Sequence, residues 1–166
     1  SEFYRGEMFA IAGGSRRHNE LCGRLIGILF GRLRGSGCKV YPSDMKVQTG
    51  PDGLYTYPDV AVVCGDPICA DGGDEILVNP KVIFEVLSKS TEVNKFQQYK
   101  QIESLEEYVL VSQTEPLIER FGRRPGAPWA AYSEARGLDV QLQLDSLGVE
   151  IPLSEIYQDV VFEIDA

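Results

Sequence analysis

Two carboxylates stand where folding alone would not put them. Asp59 opens the apolar run PDVAVV, and Glu85 lies inside VIFEVL. Burying an unpaired carboxylate costs several kcal/mol, so Glu85 has to be neutralised, ion-paired or bound to a cation. Alternation along a strand puts Glu85 on the face of Ile83 and Leu87, and Asp59 on the face of Ala61 and Val63. If the two strands are neighbours, the acids converge. Two oxygen ligands with space left for water and a phosphate is the coordination that magnesium favours, and metal-assisted phosphodiester cleavage is the chemistry that follows. The competing reading is a structural ion pair, with Lys81, Lys95 or an N-terminal arginine neutralising Glu85.

The remaining reactive side chains are sparse. His18, the single histidine, sits beside Arg16 and Arg17 at the start of a helical pattern, where it could contact phosphate or simply be partly exposed. One histidine and no glycine-flanked serine elbow give no basis for a serine triad. Cys22, Cys38, Cys64 and Cys69 lack the spacing of a zinc or redox motif, and the expectation is free buried thiols. The net charge of -9 argues against a generally cationic surface, but it is unevenly spread. Residues 1–40 carry seven Lys/Arg against three acids, which permits one locally positive face of the kind a phosphate backbone requires, or only a solvated helix face.

These residues must be held by a single domain spanning 1–166. Its 43% hydrophobic and 10% aromatic content is that of a globular chain, large enough for a core without staples. No apolar run approaches the ~20 residues of a membrane span, and no basic-then-apolar leader is present, so the expectation is a cytoplasmic protein. FYRGEMFAIA reads as two short strands. Ser15 caps a helix in which Leu21, Leu25, Ile28, Leu29 and Leu33 form the stripe and Gly35-Ser36-Gly37 the stop. Gly23, Gly27, Gly31 and Gly35 recur along it, each costing about 1 kcal/mol of helix propensity, which close packing on a sheet or helix would repay.

CKVYPSDMKVQT reads as a strand interrupted near Pro42, antiparallel to YPDVAVV, with residues 65–79 a loop and KVIFEVLS a strand buried on both faces. Ser90 or Thr91 caps a helix to about Ile102, and EEYVLVS follows as a buried strand, so the unit is a parallel crossover. EPLIERF, PWAAY and VQLQL suggest a final antiparallel group, and residues 153–160 a closing helix.

The strings YPDVAVV, VIFEVLSKST and KFQQYKQIESLEEYVLVSQ resemble the Uma family of restriction endonuclease-like proteins, within the PD-(D/E)XK nuclease superfamily. The similarity extends to RGEMFAIAGGSRRHNELCGRL at the front and SLGVEIPLSEIY near the end, nearly the whole chain. It implies an α/β (α+β) restriction endonuclease-like fold: a mixed β-sheet flanked by helices, with an additional antiparallel strand group and a divalent-metal site on the second and third core strands. Carried over, Asp59 becomes the metal-ligating aspartate, Glu85 the second carboxylate and the Val86 carbonyl a third ligand, with Mg2+ or Mn2+ as the ion.

The superfamily lysine two positions after the acid is Leu87 here. Uma proteins are similar in supplying a lysine from the following helix, which matches Lys95 as the group that orients the water and stabilises the charged transition state. Relatives carry about four more residues before that lysine; a true deletion would rotate Lys95 by part of a turn or shorten the helix, whereas residues merely missing from the sequence would leave the site intact. Glu7 in RGE matches a family acid that would hold a metal-bound water, or is an exposed hairpin glutamate. Asp44 in PSDMKV also has a counterpart, or is a turn aspartate.

Two readings result. One is a magnesium-dependent DNA endonuclease with Asp59, Glu85, Lys95 and Glu7 at the site and Arg16, Arg17, His18 and Arg24 near DNA. The other is a catalytically inactive nuclease fold that binds nucleic acid or protein. A homodimer built on the glycine stripe is compatible with either.

Overall fold

A computed structural model describes residues 14–52, 55–87 and 95–162, together with the backbone of two strands, β1 (Glu2–Tyr4) and β2 (Glu7–Phe9). The elements that follow are α1 (Arg16–Arg32), β3 (Cys38–Pro42), β4 (Lys46–Gln48), β5 (Tyr55–Thr56), β6 (Val60–Cys64), β7 (Ile76–Leu77) and β8 (Val82–Val86). Then come α2 (Lys95–Tyr99), β9 (Glu107–Val111), β10 (Leu117–Gly122), β11 (Ala131–Arg136), β12 (Gln141–Leu144), β13 (Val149–Pro152) and α3 (Leu153–Ile156).

The main sheet has the order β11-β10-β9-β8-β6-β3. Its β8–β9 pair is parallel, as the strand–helix–strand pattern requires, and its other pairs are antiparallel. Both faces are covered. On one, α1 lays Leu21, Leu25, Leu29 and Leu33 against Val60, Val62, Val82, Phe84 and Val86. On the other, Tyr99 and Ile102 pack with Ala61, Val63, Ile83 and Tyr108. Burial on two faces explains the unbroken apolar reading of β6 and β8, whose Val60–Val63 and Val82–Val86 are all buried.

Several expectations change. CKVYPSDMKVQT is two strands in two sheets, because the chain turns at Pro42, where Met45 N–H donates to the Pro42 carbonyl at 3.1 Å. Within the loop 65–79, β7 pairs in parallel with β4. VQLQL does not join β10 and β11; it forms a separate ribbon with β13. The closing helix stops at Ile156, and Asp159 turns the chain away with φ 63°. The proposed start of α2 at Ser90 or Thr91 lies outside the described residues.

The cysteine expectation is corrected in part. Cys38 and Cys64 are cross-strand partners on β3 and β6 and form a disulfide, because the ladder sets them side by side, while Cys22 and Cys69 are free. The glycine expectation is also corrected. A Cβ built at Gly23, Gly27 or Gly31 meets nothing within 4 Å, so this stripe packs on no part of the described chain.

The basic residues of α1 have a definite structural use. Arg32 donates to the Glu150 carbonyl (2.6 Å) and pairs with Glu155, Arg24 donates to the Ile156 carbonyl (3.1 Å), and Arg17 to the Val161 (2.8 Å) and Gln113 (3.1 Å) carbonyls. Steps of seven and eight residues put the three arginines on one helix face. Their partners ascend in number as they descend, so segment 150–161 runs antiparallel along α1.

Candidate active site

The β6–β8 ladder pairs Val60 with Phe84, Ala61 with Ile83 and Val62 with Val82. Continued by one step, this register sets Asp59 opposite Glu85. Both acids follow the parity of Ala61 and Ile83, on the side of the sheet that α2 covers. Asp59 Oδ2 accepts the Val86 N–H at 2.7 Å and lies 3.1 Å from His18 Nε2. The His18 and Asp59 side chains are 16% and 13% exposed.

Glu85 is buried, with 4% of its side chain exposed. Its Oε1 accepts the Tyr99 hydroxyl at 2.6 Å and lies 3.9 Å from Lys95 Nζ. Burial pushes its carboxyl up to about 8; the Lys95 charge opposes this, and the Asp59 charge and a hydrogen bond between the two carboxyls add to it. Lys95 and Tyr99 project from the same face of α2, four residues apart, so one short helix delivers two of the partners of Glu85.

A second buried acid provides the contrast. Glu107, 1% exposed, is clasped by the Arg120 guanidinium and accepts the Ser146 backbone N–H at 2.8 Å and the Ser146 hydroxyl. That is a saturated structural pair. Glu85 has an ammonium at ion-pair distance and an opposing carboxylate instead.

The other expected residues divide. Leu87 occupies the position two after Glu85, with its carbonyl bonded by the Gln113 amide, so β8 supplies no cation there. Glu7 lies on β2, and its side chain is outside the described residues. Asp44 is in the exposed turn before β4, and among the described residues no hydrogen bond or ion pair joins it to the acid pair. Arg16 is 91% exposed beside Glu20, whereas Arg17 and Arg24 hold chain carbonyls. His18 faces Asp59.

Residues not singled out from sequence also line the site. Tyr99 has its hydroxyl pKa raised well above the ordinary value by burial and by Glu85. Cys22 Sγ is 3.8 and 3.9 Å from the two His18 ring nitrogens, and its thiol is pushed up to about 12 by burial, Asp59 and Glu85. Tyr99 falls within the helix expected to end near Ile102, and its spacing of four from Lys95 is a readable signal, as is that of Cys22 from His18.

The fold is shared with a solved putative nuclease belonging to DUF820 from Anabaena variabilis, at a TM-score of 0.73, 14% identity and 94% and 88% coverage of this chain and that one. Two proteins of Synechocystis are similar in sequence. Uncharacterized protein slr1290 is 31% identical, over 97% of this chain and 85% of its own length, and uncharacterized protein sll1609 is 30% identical, over 90% and 86%. Residues 1–154, with the acid pair, Lys95 and the helix that carries His18, match the family described as putative restriction endonuclease, and the chain belongs to this family, Uma2.

Proposed function

We propose that the chain is a divalent-metal-dependent DNA endonuclease in which Asp59, Glu85 and the Val86 carbonyl hold magnesium or manganese and Lys95 serves the attacking water. The observation that carries this reading is the opposition of Asp59 and Glu85 with Lys95 Nζ 3.9 Å from the second acid. The donor set fits such an ion, since hard oxygens of two carboxylates repel each other until a cation joins them. When bound, the ion polarises a phosphoryl oxygen and lowers the pKa of its water.

The chain's own groups prepare the rest. Tyr99 fixes Glu85 Oε1, while the Val86 N–H and His18 fix Asp59 Oδ2, so both carboxylates are oriented before substrate arrives. The Lys95 ammonium can direct a water and offset charge gathering on the phosphate. Glu7 is assigned to a water of the same site, and Arg16 to the DNA backbone at the helix start. Cytoplasmic location belongs to the same proposal.

The test is plasmid nicking with titrated Mg2+ or Mn2+. Wild type is expected to nick only with the ion, and Glu85→Gln to lose at least about a hundredfold, the scale for removing a group that acts in the transition state. Unchanged nicking by that variant overturns the assignment. The near-complete burial of Glu85 favours one other reading, an inactive nuclease fold that only binds nucleic acid or protein. It predicts retention of DNA with no ion-dependent nicking.

A further inference from the structure

His18 and Cys22 are one turn apart on α1; the imidazole lies against the Asp59 carboxylate and the thiol lies near both. One donor atom from each of His18, Cys22 and Asp59 falls within 4.8 Å of the others. Oxygen-seeking ions such as Mg2+ have no use for imidazole or sulfur, whereas borderline transition ions bind both. With zinc bonds of about 2.0–2.1 Å to nitrogen and oxygen and about 2.3 Å to sulfur, a tetrahedral ion needs donor separations of roughly 3.3–3.6 Å. The observed His18–Asp59 distance of 3.1 Å and Cys22–His18 distance of 3.9 Å bracket that range.

The imidazole is also held in place. The Ser15 hydroxyl accepts the His18 backbone N–H at 3.1 Å, and the chain passes so close at Gly14 that a Cβ there would lie 2.5 Å from His18 Nδ1. A glycine is therefore what lets the ring stand between the backbone and Asp59.

We propose that His18, Cys22 and Asp59 form a three-donor site for a borderline divalent transition ion of the zinc or cobalt type. Three protein donors leave one position open, as in catalytic rather than structural zinc sites. The site shares Asp59 with the hydrolytic reading but does not require it.

The test is titration of the chelator-stripped chain with Co2+, read by the near-ultraviolet sulfur-to-cobalt charge-transfer band. One equivalent is expected to develop the band in wild type and in Glu85→Gln, and excess Mg2+ is expected not to remove it. Cys22→Ser is expected to abolish the band, and His18→Ala to weaken Co2+ binding more than about tenfold. Absence of the band in wild type, its survival in Cys22→Ser, or removal by Mg2+ overturns the proposal. If Cys22→Ser does not fold, the His18→Ala affinity decides: unchanged binding overturns it. A wild type that shows the band but nicks no DNA would sink the endonuclease reading alone.

Discussion

At Glu85 a buried carboxyl faces a second one, and its protonation becomes a stability term. Its folded-state pKa of about 8 lies above the ordinary value of 4.5, so the folded chain holds a proton that the unfolded chain releases. That contribution is complete below pH 4.5 and is lost as pH rises towards 8. Thermal melts of the chelator-treated protein are therefore expected to fall across this window, and Glu85→Gln to flatten the profile; a parallel decline in the variant would refute the link. A divalent ion should reverse the trend in wild type by favouring the charged form. Both acids were legible in the sequence because apolar strands rarely carry carboxylates. Lys95 was legible as one of several cations that could neutralise Glu85, and its part in catalysis only through resemblance; the His18–Asp59 contact was not legible at all, since where α1 begins over the end of β6 is a tertiary fact.

Among the elements, α1 shows what pattern reading can and cannot supply. Its capping serine and leucine stripe were evident from periodicity, but the partner of its glycines was not. With open space around each missing Cβ, Gly23→Ala and Gly27→Ala are each expected to raise stability by about 0.5–1 kcal/mol in chemical denaturation. A loss of self-association by either variant in sedimentation would instead place a second copy of the chain on that face, as the homodimer proposal has it. Strand β3 shows the same division. Its antiparallel partner β6 followed from the sequence, while the disulfide followed only from register, which composition does not encode. Reducing that bond opens a covalent loop with a sequence separation of 26. The expected cost is about 3 kcal/mol, visible as a lower melting temperature in reductant.

For the molecule as a whole, the basic bias of the first 40 residues permitted either a face for phosphate or a solvated helix face, and the structure uses Arg17, Arg24 and Arg32 as stitching. Arg24→Ala is expected to lower unfolding free energy by roughly 1–2 kcal/mol, because a carbonyl loses a charged donor. If the guanidinium is committed to that carbonyl, the salt slope of DNA binding should stay unchanged, since each phosphate contact contributes about -0.9. The reverse result would return Arg24 to the DNA. The antiparallel lacing of 150–161 along α1 also carries a message across the fold. Arg17, immediately before His18, is moored to a carbonyl 144 positions later in the chain. Damage to the tail would therefore be felt at the imidazole, as slack in a rope is felt at the far cleat.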